Sequence, residues 1–396
     1  MRSIKAQYFI CFAVMGAVMP FLSIYLKEDQ GLTESQIGYI VAAASLSVLV
    51  TPVFITLLAD TRLDPRRVSG ICFLLSGSFL LAMGLFEGFW PALVFFSLHS
   101  LAYVALLPLQ DGMNFSFQRK RETNGQPPEP YHRIRVWGTI GFIIPSLIIF
   151  FLIEGGSSTS IILAVAFVFS LAGLVNCALM PDPRRDNKPP AAGEQAGLPT
   201  LGAARALFTE NALIFCLGMA LAHAASSAYF AFYPLYLTEE IGLDRKWAGL
   251  IFNIGVAIEI VFILSLGHMI RRLGLRRLIV LGMFCMALRT ALLALVPTVG
   301  VAIAGQILHG LIIIAMHVGP VMYINRLASD RYRNSIQGLY TMTVVGGSRI
   351  IGSILAGHLA QTNLLLLFGI ATLVTLVTLV LFLIAFQPEE SDHSPL

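Results

Sequence analysis

Apolar segments recur along this 396-residue chain, and few charges interrupt them. A helix needs about 20 mostly apolar residues to cross a bilayer. Only 12% of the residues are charged, whereas an ordinary soluble domain carries roughly twice that share. Because a backbone in lipid must satisfy its own hydrogen bonds, the crossing segments must be helices. The sequence therefore predicts an all-α integral membrane protein and excludes a soluble enzyme, a disordered scaffold and a disulfide-linked secreted module.

The apolar pattern predicts twelve membrane spans. The first is interpreted as a span rather than a signal peptide, because it is long and eleven similar segments follow it. The predicted spans are 6–26, 36–58, 69–87, 91–113, 132–153, 158–179, 211–237, 247–270, 276–296, 299–323, 334–358 and 363–386.

Basic residues alternate strongly between the two sides that these spans define. Of the 26 Lys and Arg residues, 21 lie on the side of the termini, and only Lys27, Arg245 and Lys246 lie on the opposite side. The remaining two, Arg289 and Arg349, fall within spans. Cytoplasmic loops carry the excess of Lys and Arg, so both termini are predicted to be cytoplasmic. Short loops and termini favour a bacterial inner membrane.

The two halves of the chain resemble each other. Residues 21–40 and 232–251 share eight identities in twenty aligned positions. The polar, proline-containing segment 181–210 separates the halves and is interpreted as a cytoplasmic linker. The predicted domains are therefore a six-helix bundle over 1–180, the linker 181–210, a second six-helix bundle over 211–388 and a tail over 389–396. Repeated six-helix halves are typical of secondary transporters, which bind substrate between the halves.

Several motifs resemble the major facilitator superfamily, and in particular its phenylpropionate permease-like branch, which is related to the lactose permease and to nucleoside–proton symporters. The resemblance covers nearly the whole chain and implies two pseudo-symmetric bundles with twelve transmembrane helices. The superfamily's loop motif after the second span is imperfect, because Thr56 replaces its first glycine. The stretches that carry the resemblance are Phe21-Leu-Ser-Ile-Tyr-Leu-Lys27, Arg133-Ile-Arg135-Val-Trp137-Gly138-Thr-Ile-Gly141-Phe142, Gly255-Val-Ala-Ile-Glu259-Ile-Val-Phe262 and Gly305-Gln-Ile-Leu-His309-Gly310.

Three ionisable residues are predicted close to the membrane midplane on consecutive spans: Glu259, Arg289 and His309. Charges at this depth are costly and are usually functional. Glu259 is the candidate proton carrier, and Arg289 and His309 are candidates for the groups that control its ionisation. The alternative is a purely structural ion pair between Glu259 and Arg289. In the lactose permease, which the chain resembles, an acid, an arginine and a histidine on the corresponding helices take part in binding and coupling.

A second group of polar or aromatic residues within the spans is predicted to contact the substrate. For each of them, ordinary helix packing is the alternative. Aromatic faces combined with one arginine suit an aromatic or sugar-like solute, especially a carboxylate held by Arg289 or Arg349. The candidate substrate-binding residues are His99, His223, Asn253, Gln306, His317, Arg349, Tyr25 and Tyr233.

A third group lies at the cytoplasmic ends of the spans. Asp111 and Asn114 at the end of span 4, with Arg133 and Arg135 at the start of span 5, are predicted to form a closing ion-pair cluster, or gate. Asp60 is predicted to join this gate by facing the start of span 11. The alternative for all five residues is a solvated loop charge.

The sequence thus predicts a proton-coupled symporter that imports a small organic solute, such as an aromatic carboxylate, a nucleoside or a sugar. The alternatives are a proton-coupled efflux antiporter and a non-transporting membrane receptor on a transporter fold. No Gly-x-x-x-x-Gly-Lys loop is present, so nothing in the sequence indicates ATP-driven transport. The expected partners are the solute, protons and the lipid bilayer. An enzyme activity, a cofactor, a metal site and a nucleic-acid partner are not expected, and the protein is predicted to be a monomer.

Overall fold

A computed structural model describes residues 1–60, 64–182, 206–207, 209–327 and 333–386. Within these ranges, the side chains of residues 52–60, 132 and 333–335 are not described. The described chain is helical and contains no strand.

Eleven helices of the described part are long and apolar enough to cross a membrane. The 50-residue helix Lys246–Leu295 is interrupted at Gly274, whose φ of 77° is left-handed, so it is two crossings. The predicted fold class of twelve transmembrane helices is therefore confirmed. The helices are α1 (Arg2–Glu28, broken after Val18), α2 (Glu34–Asp60), α3 (Pro65–Leu85), α4 (Phe89–Thr123), α5 (Tyr131–Glu154), α6 (Ile161–Leu179), α7 (Glu210–Glu239), α8 and α9 (the parts of Lys246–Leu295 before and after Gly274), α10 (Val299–Leu327), α11 (Ile336–Thr362) and α12 (Leu364–Ile384).

Helices of the same half account for most of the packing. In the first half, α1 packs against α5 and α6, and α3 packs against α4 and α6. In the second half, α7 packs against α11 and α12, and the α8–α9 pair packs against α10 and α12. Across the halves, the main contacts join α2 to α11 and α5 to α8.

Glycines allow the closest of the helix crossings. A Cβ atom built on Gly16 of α1 would lie 2.0 Å from the carbonyl oxygen of Phe142 on α5. A Cβ atom built on Gly141 of α5 would lie 2.0 Å from the carbonyl oxygen of Phe9 on α1. Small residues at such crossings let helix backbones touch in a membrane, where packing rather than the hydrophobic effect holds helices together.

Polar contacts close one side of the boundary between the halves. We call the side that carries the α1–α2 connection the far side, and the side that carries Met1 the terminal side. Three charge contacts join the halves on the far side: Lys27 with Glu239 at 2.6 Å, Glu28 with Arg245 at 3.0 Å, and Glu154 with Lys246. These six residues are the far-side latch.

A polar contact between α2 and α11 extends this closure. The ring of His358 on α11 lies between the hydroxyl groups of Ser35 and Tyr39 on α2, with 3.0 Å to each. Beneath it, a Cβ atom built on Gly38 would lie 2.6 Å from the carbonyl oxygen of Ser353. In the described part of the chain, the hydrogen bonds and ion pairs between the halves all lie on the far side. The structure is therefore closed on that side.

Lys27→Gln is expected to open the far side more often. Lys27 binds both Glu34 and Glu239, and partly exposed ion pairs are worth up to about 1 kcal/mol each. The population open on the far side should therefore rise about three- to fivefold. Spin labels placed by Thr33→Cys and Thr362→Cys measure this population as a distance distribution. Lys5→Gln is the matched control, because Lys5 pairs with Glu129 within one half; an equal shift in that variant would contradict the assignment.

Candidate functional site

Glu259 lies in the interior of α8 and is partly exposed. It is 13 residues from the start of its helix at Lys246, about 20 Å along the axis. Arg289 lies only six residues before the far-side end of α9 at Leu295, about 9 Å along the axis. Because the two residues lie at different depths, they do not meet. Among the described residues, no ion pair joins Glu259 to Arg289, so the structural pair that the sequence left open is not formed in this structure.

Arg289 is enclosed by the second half of the chain. It is 1% exposed, and its guanidinium group lies 3.7 Å from the centre of the Tyr229 ring. Its Nη1 donates to Nδ1 of His309 at 3.1 Å. An arginine only donates hydrogen bonds, so this contact makes Nδ1 the acceptor and fixes His309 as a neutral ring protonated on Nε2. The structure thus brings together two of the three predicted coupling residues, and the aromatic ring partly compensates the buried cation.

The Gln306 side chain joins this cluster to α7. Its Oε1 accepts from the hydroxyl of Tyr229 at 3.0 Å, and its Nε2 donates to the hydroxyl of Tyr233 at 2.7 Å. Tyr233 in turn donates to the carbonyl oxygen of Ala302 at 2.9 Å. All three side chains are buried, so Gln306 and Tyr233 form an internal network between α7 and α10.

The α10 helix is irregular around His309. A 3₁₀ segment, Gly305–Leu308, precedes this histidine, and a π-helical segment, Ile314–Val318, follows it and contains His317. A second π-helical segment, Thr341–Gly346, directly precedes the α11 portion that carries Arg349. Such π-helical turns frequently occur at functional sites.

Glu259 faces the other half of the protein across the α5–α8 contact. A Cβ atom built on Gly249 would lie 2.9 Å from Cβ of Ser146, and one turn further on the rings of Phe142 and Phe252 are 6.2 Å apart. Continuing this antiparallel register places Arg135 opposite Glu259.

Arg135 is the charged group that acts electrostatically on Glu259. Its guanidinium group lies 4.1 Å from the centre of the Phe12 ring. The predicted proton carrier and one predicted gate residue therefore face each other across the boundary between the halves.

A cavity of about 250 Å³ lies between the halves, bordered by α1, α2, α4, α7 and α11. His99 and Arg349 line it. The Nδ1 of His99 is 2.9 Å from the Ser76 hydroxyl and 3.1 Å from its carbonyl oxygen. The His99 ring is stacked between Phe96 and Tyr103, at centroid distances of 5.6 and 5.7 Å. Two of the predicted substrate residues thus meet in one cavity.

His223 and His317 form a pair next to this cavity. Their ring centroids are 5.8 Å apart, and Arg349 is within electrostatic range of both. The Nε2 of His223 is buried and has no hydrogen-bond partner among the described residues. His317 is exposed.

Asn253 and Tyr25 lie outside the cavity lining. Asn253 on α8 is 4% exposed, and neither its Oδ1 nor its Nδ2 has a partner in the described part of the chain. Tyr25 is buried against α3, where its hydroxyl donates to the carbonyl oxygen of Met83 at 3.4 Å and accepts from Gln30 at 2.7 Å. Asn253 is therefore available for a ligand contact, whereas Tyr25 has a packing role in this structure.

The terminal-side cluster differs from the expected ion pair. The carboxylate of Asp111 accepts hydrogen bonds from Tyr8 and, at 3.2 Å, from Tyr131. No ion pair between Asp111 and Arg133 or Arg135 is formed among the described residues.

The remaining gate residues add little to this cluster. Asn114 is buried, and its Oδ1 has no partner in the described part of the chain. Asp60 was predicted to face the start of span 11, near Asn334 and Ser335. The side chains of all three residues lie outside the described part of the structure.

The far-side latch was not predicted from the sequence, although two signals pointed to it. Each of the three basic residues on the far side has acidic residues nearby in the sequence. The internal repeat also aligns Glu28 with Glu239, two acids of the latch. Ser23 was also not predicted as a site residue from the sequence. It lines the cavity, and its buried hydroxyl has no partner among the described residues.

This chain is similar to known proteins over almost its whole length. Residues 1–370 match the MFS_1 like family. The chain is 27% identical over 365 residues to the "Probable 3-phenylpropionic acid transporter" of Escherichia coli (strain K12), with 91% of each protein covered. It is 27% identical to the maltose permease of Geobacillus stearothermophilus, covering 94% of this chain and 92% of that protein. The crystal structure of the nucleoside transporter NupG has the same fold, with a TM-score of 0.84 at 19% identity and coverage of 97% of this chain and 98% of that one.

Proposed function

The chain belongs to the MFS_1 like family of membrane transporters, and from this premise we propose that it is a proton-coupled symporter that imports a small organic solute. The six-helix bundles over 1–180 and 211–388, joined by the linker 181–210, are the two bodies that move in this proposal. The solute binds between them, and rocking of the bundles exposes the site to each side in turn.

The observation that carries the proposal is the position of Glu259. This acid lies in the interior of a membrane helix, is partly exposed, and has no ion-pair partner within 4.0 Å among the described residues. An intramembrane acid that is not neutralised by a fixed partner is costly unless it exchanges protons or binds a ligand.

Rocking of the halves supplies a means of proton exchange. Arg135 and Glu259 belong to different halves, so their separation changes as the halves move. A nearby guanidinium group favours the ionised carboxylate, and apolar surroundings favour the neutral acid. Proton release therefore accompanies the state in which the two groups approach, and proton uptake accompanies the state in which they separate. The Arg289–His309 pair belongs to the same bundle as this acid but lies at a different depth in the membrane.

The orientation in the membrane relates the closed side of this structure to one side of the cell. The excess of basic residues on the terminal side supports cytoplasmic termini, in a bacterial inner membrane. On this orientation the far-side latch closes the external side, and the structure corresponds to a state that communicates with the cytoplasm. Asp111, Asn114, Arg133, Arg135 and Asp60 are then proposed to close the cytoplasmic side in the opposite state. The transporter is proposed to act as a monomer.

Transport by the purified protein in liposomes tests this proposal. Radiolabelled 3-phenylpropionate, maltose and uridine are supplied outside, and an inward proton gradient is imposed. We expect at least one solute to accumulate above its external concentration, and a protonophore to abolish the accumulation. Outward movement of solute loaded inside the liposomes, driven by the same gradient, would establish an antiporter, and saturable binding without flux would establish a receptor; either result would overturn the proposal.

A further inference from the structure

Among the described residues that line the 250 Å³ cavity, Arg349 is the one that carries a formal charge. It lies on α11, 13 residues before the helix ends at Thr362, about 20 Å from the far-side end. No hydrogen bond or ion pair joins its guanidinium group to another described residue, and no acidic residue borders the cavity. The titratable groups within its electrostatic range, His223 and His317, are bases and do not compensate it.

The cavity also presents buried hydroxyl groups. Ser23 on α1 is 2% exposed, and its Oγ has no hydrogen-bond partner among the described residues. Ser353, one turn after Arg349 on α11, lines the same cavity and is 1% exposed. Buried polar groups normally find partners, so the Ser23 hydroxyl is free to bind a ligand.

Most of the remaining wall is apolar or aromatic, and further serines and His99 contribute polar groups to it. Phe96 on α4, Phe230 on α7 and Leu107 on α4 are among the residues that form it. At 250 Å³, the cavity is smaller than the typical range of drug-sized sites, which begins at about 300 Å³. A disaccharide is too large for this space, whereas a solute with one ring or a short chain fits.

Arg289, the other interior arginine, does not border this cavity. It is 1% exposed, is covered by the Tyr229 ring and is bound to His309. The two arginines that the sequence offered as carboxylate ligands are therefore separated by the structure, and only Arg349 is accessible from the cavity.

We propose that Arg349 anchors the carboxylate of a small organic monocarboxylate in this cavity, with Ser23 and Ser353 as further donors and the apolar wall around the remainder of the solute. This inference rests on the proposed function, because it names the class of solute that the symporter carries. One guanidinium group matches one carboxylate with two parallel hydrogen bonds. A neutral sugar or nucleoside would displace water from the guanidinium group without supplying a counter-charge, which is costly in a low-dielectric cavity.

Binding to the full-length protein in nanodiscs, measured by calorimetry, tests the proposal without any proton gradient. The probes are 3-phenylpropionate, benzoate and butyrate, each compared with its neutral amide. The wild type should bind a carboxylate roughly ten- to a hundredfold more tightly than its amide, the range expected for a hydrogen bond to a charged group. Arg349→Gln should remove this preference, and Arg349→Lys should keep part of it.

The control variant is Arg272→Gln, at an exposed position on the terminal side, which should keep the full preference. Equal affinity for carboxylate and amide in the wild type would overturn the proposal, as would the absence of saturable binding of any carboxylate. An unchanged preference in Arg349→Gln would also overturn it. If the carboxylate binds through Arg349 but does not accumulate with protons, the proposed symport is wrong and the anion site is supported. If uridine accumulates with protons and no carboxylate binds, the symport is supported and the anion site is wrong.

Discussion

Glu259→Gln is expected to abolish concentrative uptake and to leave solute exchange intact. The amide has the size and hydrogen-bonding capacity of the neutral acid but cannot carry a proton. An inward gradient of two pH units is worth about 2.7 kcal/mol per proton, which corresponds to roughly hundredfold accumulation for one coupled proton. In the variant this ratio should fall to one, because the solute no longer moves together with a proton. Uptake into liposomes with an imposed pH gradient measures the ratio, and counterflow of unlabelled against labelled solute measures exchange.

Two further variants make this result specific. Glu259→Asp keeps a carboxyl group and should retain part of the accumulation. Glu87→Gln removes an acid at an exposed position near the far-side end of α3 and should accumulate solute like the wild type. Accumulation at the wild-type level in Glu259→Gln would show that another group carries the proton. Loss of counterflow together with accumulation would assign Glu259 to substrate binding instead.

Gly16→Ala and Gly141→Ala are expected to destabilise the first bundle severely. Each added methyl group would lie 2.0 Å from a backbone carbonyl oxygen of the facing helix, and a backbone cannot rotate away as a side chain does. The α1–α5 crossing must therefore widen along its length, at a cost of about 3 kcal/mol or more, the upper part of the range for overpacked interiors. The melting temperature in detergent and the yield of monodisperse protein measure the effect.

Gly369→Ala is the matched control for these two variants. Gly369 lies inside α12, and a Cβ atom built there meets no other atom within 4 Å. Alanine is favoured over glycine in a helix by up to about 1 kcal/mol, so this variant should be as stable as the wild type or slightly more stable. A melting temperature for Gly16→Ala close to that of the control would contradict the close approach of α1 and α5.

The sequence predicted the helices well because the signal is local. The length and polarity of each apolar segment depend only on its own residues, and most predicted ends lie within a few residues of those observed. The exception is α4, which was predicted to end at residue 113 and continues to Thr123. Eight of its last ten residues are polar, so hydropathy does not reveal that the helix extends beyond the membrane.

The candidate site was predicted less completely, because side-chain partners depend on how far each helix extends. The sequence placed Glu259 and Arg289 at the same depth, whereas the structure separates them by their distances from the helix ends. Arg289 and His309 do meet, because the start of α10 packs against α9 at Gly305, whose built Cβ would contact the Arg289 side chain at 3.4 Å. Asp111 is bound by tyrosines rather than by the arginines near it in the sequence.

Hydropathy and charge distribution were enough to establish that this chain is a twelve-helix membrane protein with ionisable groups in its interior. Each segment that crosses the lipid must by itself be long enough, apolar and internally hydrogen-bonded, and its own residues decide this. The three-dimensional packing was needed to show which of those groups face each other. It places Arg135 opposite Glu259, leaves Arg349 in a cavity without a counter-charge, and closes the far side with charges from both halves. The paired residues are more than ninety positions apart in the sequence, and they meet at helix crossings that no local pattern in the sequence encodes.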